Sequence, residues 1–352
     1  MAQDIPKTVK QWSVSDFTGF DALKFSEEPI PELGDSQVLV KFHAASLNYR
    51  DLIIPKGSYP FKMEKGIIPG SDGAGTVVAV GKYVDRFKAG DNVITLFNQG
   101  HLGGSLDLQS AGTGLGGAVD GVLRTYGAFD QNGLVAMPSN LSFSEASTLP
   151  CAGVTAWNAL YGLSDKKLLP GQWVLTQGTG GVSIFGVQLA KAAGAKVIAT
   201  TSSAEKGKLL KKLGADHIIN YKETPNWGEK AKEITGGRGV DHVIEVAGPK
   251  SIAQSLIASK IDGVITIIGF VGGVKGEQEP GFLEALNKLV TIRGILVGSR
   301  VQLEELAAAV SANPDKLRPV IDPKKFKLEE LKEAYEYQWS GQHQAKVVIN
   351  IA

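Results

Sequence analysis

The sequence is poor in cysteine and histidine and carries almost no net charge. Its 352 residues include one cysteine, Cys151, and five histidines, and 37 basic residues stand against 36 acidic ones. One cysteine excludes an internal disulfide and a four-cysteine zinc site. A net charge near zero gives no field that would attract a polyanion, so nucleic acid is not expected as a partner.

Long apolar runs are also missing. No uninterrupted run could span a bilayer, and residues 1–12 lack the apolar segment of a secretory signal. We therefore expect no membrane association and a cytoplasmic location. A composition of 43% hydrophobic and 21% charged residues is typical of a globular protein, and this length predicts two domains.

Two regions of the sequence differ in texture. Before about residue 140, glycines separate β-rich runs at 37–47, 75–81 and 91–97, which predicts barrel or sandwich strands. Residues 98–121 are glycine-rich and predict a long irregular loop. Farther along, apolar runs alternate with helical stretches, which predicts a doubly wound parallel sheet. The six runs lie at 173–176, 196–201, 217–220, 241–247, 263–269 and 290–297.

A phosphate-binding loop is predicted between the first two of these runs. It has the pattern G-x-G-x-x-S, formed by Gly178, Thr179, Gly180, Gly181, Val182 and Ser183. The two glycines of the pattern let backbone N–H groups approach a pyrophosphate at the start of a helix. Ser183 replaces the glycine that serves helix-to-strand packing, which is a small change. A strand before the loop and an amphipathic helix after it favour dinucleotide binding over a chance turn.

The end of the second run indicates which dinucleotide to expect. An acidic residue there would bind the ribose 2′-hydroxyl of NAD and repel the 2′-phosphate of NADP. Ser202, Ser203 and Lys206 suit that phosphate, and Tyr221 could flank it, so we expect NADP(H). Two other interpretations stay open: Ser202 and Glu205 match a capping box for a helix over 204–213, and Tyr221 could simply be a surface residue.

Several motifs of the chain belong together. They are NYRD (48–51), PGSDGAG (69–75), DGVLRTY (120–126), LPCAGVTAWNAL (149–160), GTGGVSIFG (178–186) and IGFVGG (268–273). With them nearly the whole chain resembles the medium-chain dehydrogenase/reductase superfamily, on the zinc-free side that includes quinone oxidoreductases and enoyl reductases.

The resemblance implies an α/β fold in which a GroES-like, β-rich catalytic domain carries an inserted six-stranded parallel Rossmann domain. We place the GroES-like domain at 1–154, the Rossmann domain at 155–299 and the return to the catalytic domain at 300–352. The return agrees with the strand-like run at 346–351, for which a six-stranded sheet has no place. The resemblance also implies an active site in the cleft between the domains.

The catalytic zinc of zinc-containing members is bound at positions that fall on Asn48, Ser71 and Cys151 here. An amide and a hydroxyl do not replace imidazole and thiolate, so we expect no metal. The four-cysteine structural lobe of those members is replaced by residues 98–121. The histidines at positions 43, 101, 217, 242 and 343 show no paired ligand spacing.

Further cofactor contacts are implied by the resemblance. Thr155 matches a threonine that touches the nicotinamide. Lys346 matches an arginine near the pyrophosphate, although a lysine before a last strand is often only solvated. A loop whose backbone meets the carboxamide and a segment that re-enters the cleft supply the rest: Gly269, Phe270 and Val271, then Gly298, Ser299 and Arg300.

The expected reaction follows from the missing metal. Reduction of an isolated carbonyl concentrates negative charge on one alkoxide oxygen, and a Lewis acid such as zinc is needed to stabilise that charge. Reduction of a conjugated C=C or a quinone delocalises the charge, so that a few hydrogen-bond donors can be enough. We therefore predict an NADPH-dependent reductase of an α,β-unsaturated carbonyl or a quinone. The candidate hydrogen-bond donors are Asn48, Tyr49, Tyr59 and Tyr126, and each tyrosine is equally open to a packing role.

Two other functions stay open: a zinc-independent, NADP-dependent alcohol dehydrogenase, and a cofactor-binding protein without catalysis. Cys151 is interpreted as a small residue on the nicotinamide side of the cleft, because no base or cation in the sequence is evident that would lower its pKa. The resemblance implies a homodimer or homotetramer that acts on a small-molecule substrate.

Overall fold

The computed structural model describes residues 5–273, 275–276 and 280–351. The chain forms two compact units. Unit 1 takes the chain up to Val154, then Gly298–Pro314, then Arg318 onward, and unit 2 takes Thr155–Val297 with Asp315–Leu317. The chain thus leaves unit 1 after Val154 and re-enters it at Gly298. The domain boundaries predicted from the sequence lie after residues 154 and 299.

Unit 1 begins with short strands and short helices. In chain order they are β1 (Thr8–Val14), β2 (Leu23–Pro29), β3 (Gln37–Ser46), α1 (Tyr49–Ile53), β4 (Asp72–Val80), β5 (Asn92–Thr95), α2 (Leu108–Ala111), β6 (Tyr126–Asp130), β7 (Leu134–Ala136) and α3 (Phe143–Ala146). A π-helical turn, Leu149–Gly153, follows.

Unit 2 alternates helices with strands. Its elements are α4 (Val154–Tyr161), β8 (Trp173–Gln177), α5 (Gly181–Ala192), β9 (Lys196–Thr201), α6 (Ala204–Lys212), β10 (His217–Asn220), α7 (Trp227–Ile234), β11 (Val240–Glu245), α8 (Ile252–Ala258), β12 (Ser259–Ile267), α9 (Leu283–Lys288) and β13 (Thr291–Gly294). The chain then adds α10 (Arg300–Ala312), β14 (Ile321–Lys327), α11 (Leu331–Trp339) and β15 (Lys346–Asn350) to unit 1.

The main sheet of unit 1 contains strands from both ends of the chain. Its order is β14-β15-β3-β4-β5-β7, with β6 also paired to β3, while β1 and β2 form a separate hairpin. β15 runs antiparallel to β3, with Val348 opposite Ser46. The last strand of the chain therefore lies in the sheet of unit 1, beside a strand from its beginning. Phe42 and Phe129 meet edge to face in the core, and Tyr335 of α11 is fully buried there.

The sheet of unit 2 has six parallel strands in the order β10-β9-β8-β11-β12-β13. This is the doubly wound dinucleotide-binding order that the six apolar runs predict. Every residue of β8 and β11 is buried, as expected for central strands covered by helices on both faces. The largest differences from the predicted runs lie at β12 and β13. β12 starts at Ser259 and reaches its partner through a register shift, and β13 stops at Gly294, before Val297 adopts a φ of 59°.

The loop predicted at 98–121 is irregular, and residues 102–109 are mostly exposed, whereas residues 114–117 are buried in unit 1. It contains only the one-turn helix α2, whose N-cap Asp107 accepts from the Ser110 N–H, and isolated bridges that include Asn98 to Gly114. Leu115 lies in the hydrophobic core of unit 1. No helix in the described part of the chain is both long and apolar enough to cross a bilayer.

Candidate active site

The phosphate loop lies where β8 ends and α5 begins. Gly178 has a φ of 75°, Gly180 is the N-cap of α5, and a Cβ on either would meet no atom within 4 Å. The N–H groups of Gly181, Val182 and Ser183 have no acceptor within the helix because they belong to its first turn. Gly180 has no side chain that could cap them. Open space in front of unbonded N–H groups is the geometry that binds a phosphate. The loop therefore fits a dinucleotide pyrophosphate.

Two small residues bring α5 close to the sheet. The Ser183 hydroxyl, 1% exposed, donates to the backbone oxygen of Gln177 at 2.6 Å. A Cβ on Gly186 would lie only 2.5 Å from the Ile244 side chain of β11. The close helix-to-strand approach usually given by the third glycine of the fingerprint is thus made one turn later, at Gly186. Ser183 fills its position because its hydroxyl has a buried acceptor.

The residues expected to bind a 2′-phosphate follow the ends of two neighbouring strands. Thr201 of β9 pairs with Asn220 of β10, and the Tyr221 N–H donates to the Thr201 oxygen at 3.0 Å. Ser202 and Tyr221 therefore follow directly after adjacent strand ends. Tyr221 is partly exposed.

The capping box predicted for Ser202 and Glu205 is wrong by one residue. Ser203 is the N-cap of α6, and its hydroxyl accepts from the Lys206 N–H. The extended backbone of Ser203 sets the start of the helix at Ala204, whereas Glu205 forms an ion pair with Lys208. Ser203 thus has a structural role, and Ser202 is the serine left for a ligand.

A buried carboxylate near the phosphate loop was missed by the sequence reasoning. Glu245, fully buried at the end of β11, accepts from the N–H of Gly248 and from the hydroxyls of Ser251 and Ser255. It also accepts from the Gln177 amide at 2.7 Å. Glu245 thereby fixes the loop after β11 to the strand that leads into the phosphate loop. The only signal for it was a glutamate near the end of an otherwise apolar run.

The residues predicted beside the nicotinamide in unit 2 lie on α4 and after β12. Thr155 is buried on α4. Gly269 packs closely against the loop after β11, since its Cβ would lie 3.0 Å from the Val246 oxygen. The Val271 N–H donates to that same oxygen at 3.2 Å, so it is not open to a ligand. The contribution of Gly269, Phe270 and Val271 to cofactor binding stays a prediction.

The segment Gly298–Ser299–Arg300 starts α10 in unit 1. Ser299 is the N-cap and forms a capping box with Gln302. Arg300 donates through Nη1 to the Asn132 side chain at 2.9 Å. Both side chains thus have structural partners within unit 1. The predicted contact of this segment with the cofactor stays a prediction, and it would be made by backbone groups.

A buried polar cluster joins the ends of β3, β4 and β15 in unit 1. We define it as Asn48, Ser71, Asp72 and Lys346. Lys346, 4% exposed, donates through Nζ to Asn48 Oδ1 at 2.6 Å, to the Leu47 oxygen at 2.8 Å and to Asp72 Oδ2 at 3.3 Å. The Asn48 amide donates to Ser71 Oγ at 3.2 Å, and Ser71 donates to Asp72 Oδ1 at 2.8 Å.

The polar cluster corrects the role expected for Lys346. An ammonium group has three N–H donors, and those of Lys346 have three acceptors inside unit 1. No donor is left for a pyrophosphate, so the geometry does not support the predicted contact. Lys346 is the first residue of β15, and its side chain is as buried as the apolar residues that follow it. A buried lysine needs such partners because of its charge.

Arg50 and Asp51 form a buried ion pair in unit 1, with 3.2 Å between Arg50 Nη1 and Asp51 Oδ1. Burial raises the pKa of Asp51 to about 6 although the guanidinium opposes this. Arg50 also donates to the Leu115 oxygen at 2.8 Å and lies 4.9 Å from the centre of the Tyr59 ring. It therefore ties the irregular loop to α1.

The three candidate tyrosines lie outside the polar cluster. Tyr49 stacks on Trp339 with ring centres 6.2 Å apart, and Tyr59 covers the Arg50 guanidinium. Tyr126 is half-buried on β6, and burial raises its pKa. Of the four predicted donors, only Asn48 belongs to the polar cluster. Catalytic roles for the tyrosines stay predictions, and packing explains the positions of Tyr49 and Tyr59.

Cys151 lies in the π-helical turn and is partly exposed. Burial of the thiol group itself is the main cause that raises its pKa far above the usual range, and the negative charge of Asp72 adds to it. The sulfur is therefore neutral at pH 7. A neutral thiol is a poor nucleophile.

The residues at the zinc positions do not fit the metal. Zinc takes thiolate, imidazole or carboxylate ligands, whereas Asn48 and Ser71 are bonded to each other and the Asn48 oxygen already accepts from an ammonium group. In the described part of the chain, no three histidine, cysteine, aspartate or glutamate residues are grouped so that they could hold a metal ion.

Comparison with known proteins agrees with the fold. Residues 34–139 match the alcohol dehydrogenase GroES-like domain, and residues 181–312 match the zinc-binding dehydrogenase family. A zinc-type alcohol dehydrogenase-like protein of Schizosaccharomyces pombe is 47% identical over 96% of this chain and 97% of its own. A quinone oxidoreductase of Sus scrofa is 30% identical over 91% of each chain.

A solved structure of an NAD-dependent alcohol dehydrogenase superposes with a TM-score of 0.86 at 30% identity, over 97% of this chain and all of that one. The chain therefore belongs to the medium-chain dehydrogenase/reductase superfamily, whose members are oxidoreductases that use a nicotinamide cofactor. The resemblance to this superfamily is confirmed, and its zinc-free side stays a prediction.

Proposed function

We propose that this protein is an NADPH-dependent, zinc-independent reductase of α,β-unsaturated carbonyl compounds or quinones. The polar cluster carries the proposal, because the metal position holds an amide donor instead of zinc ligands. When bound, NADPH supplies a hydride to the β-carbon of the enone. Asn48 donates a hydrogen bond to the substrate oxygen as the electrons of the C=C bond move onto it, and water protonates the resulting enolate.

The proposal is tested with purified protein treated with a chelator, NADPH, and a panel of enones, quinones and simple carbonyls. We expect NADPH oxidation with the conjugated substrates only, unchanged by added zinc. Turnover that depends on zinc and is confined to simple alcohols and carbonyls contradicts the proposal.

The segment after β9 supports a preference for NADPH, because its first two residues are not acidic. A carboxylate there would repel the 2′-phosphate. Ser202, Lys206 and Tyr221 are the groups we propose for the 2′-phosphate. Lys206→Ala is expected to weaken NADPH binding about tenfold and to leave NADH binding unchanged, since a charged phosphate contact is lost. Lys208→Ala is the matched control, because Lys208 lies on the same helix and is paired with Glu205. Equal loss for both cofactors rules out a 2′-phosphate contact.

An alcohol dehydrogenase without zinc is the second candidate. It is favoured by the descriptions of the S. pombe relative and of the superposed structure as alcohol dehydrogenase-like and alcohol dehydrogenase. This function predicts oxidation of alcohols with NADP⁺ by chelator-treated protein. Comparing rates for an allylic alcohol, its saturated analogue and the matching enone separates the two functions.

We also propose a homodimer formed through α9 and the edge strand β13. Among the described residues, α9 buries none, and Phe282, Leu283 and Leu286 are well exposed beside it or on it. The opposite edge of the sheet, β10, is flanked instead by lysines such as Lys211 and Lys230, which discourage edge pairing. A second copy of the chain is the partner that would cover the apolar edge symmetrically. Light scattering of the native protein and of Leu286→Glu tests this, with a shift from dimer to monomer expected.

The cytoplasm is the location we propose. A single cysteine with a neutral thiol needs no oxidising compartment. Fractionation of cells that produce the tagged protein tests the proposal.

A further inference from the structure

The direction of the Asn48 side chain is fixed by chemistry as well as by geometry. An amide oxygen and an amide nitrogen look alike in shape, but an ammonium group only donates. The group 2.6 Å from Lys346 Nζ must therefore be Oδ1. The NH₂ group of Asn48 consequently faces the other way, where one N–H donates to Ser71 Oγ at 3.2 Å.

The second N–H of Asn48 is the one group of the side-chain amide that the contacts with Lys346 and Ser71 do not use. It has no partner among the residues that the structure describes, and Asn48 is only half-buried. Ser71 is itself fixed, because its hydroxyl hydrogen is donated to Asp72 and its oxygen is left as an acceptor. The polar cluster thus holds Asn48 so that the group of its side chain left without a partner among the described residues is a donor and not an acceptor.

We propose that Lys346 is a positioning residue that fixes Asn48 as a hydrogen-bond donor to the substrate oxygen and places its ammonium group behind that donor. The inference rests on the proposed function and names what takes the place of the metal. The Lys346 ammonium is held by three acceptors and cannot reach the substrate itself, so it acts through the amide that it bonds. A buried cation 2.6 Å from Oδ1 also polarises the amide and strengthens its N–H as a donor.

The first test is Asn48→Asp. A carboxylate keeps the acceptor for Lys346 and takes the hydroxyl hydrogen of Ser71 in place of Asp72, but it presents an oxygen where the amide presents N–H. The melting temperature is therefore measured together with kcat, so that a loss of folding is told apart from a loss of the donor. We expect kcat to fall about 100-fold, as when an oxyanion donor is removed, with the Kd for NADPH unchanged. An unchanged kcat overturns the inference.

The second test removes the cation. Lys346→Met leaves Asp72 buried without its cation, so it is made alone and together with Asp72→Asn, which restores neutrality and protects folding. We expect kcat to fall at least tenfold in both variants, with NADPH binding unchanged. In an Asn48→Ala background, Lys346→Met should have no further effect on kcat, because the residue through which it acts is gone. Lys191→Met, which breaks the Lys191–Asp216 pair of unit 2, is the control expected to keep kcat.

Other outcomes are decisive against the inference. A weaker NADPH complex with kcat unchanged would assign Lys346 to the cofactor, and a lower melting temperature with kcat unchanged would make it only structural. The reaction is measured with enones or with alcohols, whichever the wild-type protein converts. Failure to reduce enones therefore overturns the proposed function alone, while turnover of neither substrate overturns both.

Discussion

The phosphate loop of unit 2 and the polar cluster of unit 1 prepare for ligands in opposite ways. At the loop, backbone N–H groups face open space, and Gly178 and Gly180 keep that space free of side chains. In the polar cluster, charged side chains are buried and bonded to one another, and among the residues that the structure describes one N–H of Asn48 has no partner. The phosphate loop thus offers backbone N–H groups that have no acceptor, whereas the polar cluster holds one N–H donor in place through the hydrogen bonds of its other groups.

The largest effect we expect comes from breaking the buried charges of unit 1. Arg50→Met leaves Asp51 without its cation and should lower the free energy of unfolding by about 3–5 kcal/mol. Urea unfolding of the variant measures this. Lys82→Met is the control, because the Lys82–Asp35 pair is exposed and should contribute about 0–1 kcal/mol. A loss for Arg50→Met as small as that of the control contradicts the role given to these charges.

A buried histidine gives unit 2 its own response to acid. Burial lowers the pKa of His242 on β11 to about 4, below the value of about 6.5 in an unfolded chain. The unfolded state therefore takes up the proton first, and stability that is complete above pH 6.5 falls as the pH drops toward 4, by roughly 3 kcal/mol. Unfolding followed across this range should show the loss. His242→Asn should flatten that part of the profile, and an unchanged slope would show that other groups cause it.

At the loop, a smaller effect should appear in cofactor binding, beyond the backbone strain that alanine causes at any positive φ. Gly178→Ala places a side chain in the space for the phosphate and should raise the Kd for NADPH about 10- to 100-fold, or about 1.4–2.7 kcal/mol. Gly171→Ala is a matched control, since Gly171 has a similar positive φ of 81° and equally open surroundings away from the loop. Equal losses of affinity in the two variants would show that backbone strain, and not the phosphate, is responsible.

The smallest effect is expected at Cys151. Its thiol is neutral and takes no part in the polar cluster as defined, so Cys151→Ala should leave kcat and the Kd for NADPH nearly unchanged. Steady-state kinetics with and without iodoacetamide check this. A collapse of kcat with folding and cofactor binding intact would give the thiol a role in the reaction.

The same contrast explains what could be predicted from the sequence. The phosphate loop is local, because Gly178 to Ser183 form one pattern between a strand and a helix, and its chemistry is that of the backbone. The six strands of unit 2 could be predicted for a similar reason, since each is a continuous apolar run. The largest differences are the start of β12 and the end of β13, near which Asp262 and Val297 adopt positive φ values that no local pattern indicated.

The polar cluster could not be predicted in this way. Asn48 and Lys346 are 298 residues apart and meet only because β15 pairs with β3. Family resemblance found Asn48 and Ser71 but directed Lys346 to the pyrophosphate, because a motif position gives no side-chain direction. Glu245 was missed for the same reason, since its partners are hydroxyls and N–H groups from three separate elements.

The pairing of β15 with β3 also sets an order of events during synthesis of the chain. Ribosomes add about 5–20 residues per second, so Lys346 is made roughly 15–60 s after Asn48. During that interval Asp72 has no ammonium partner and the edge of β3 that receives β15 is bare, while the whole sequence of unit 2 is translated. A nascent chain halted before residue 346 should therefore carry an unfinished first domain, which makes that stage the one at which chaperones are needed most.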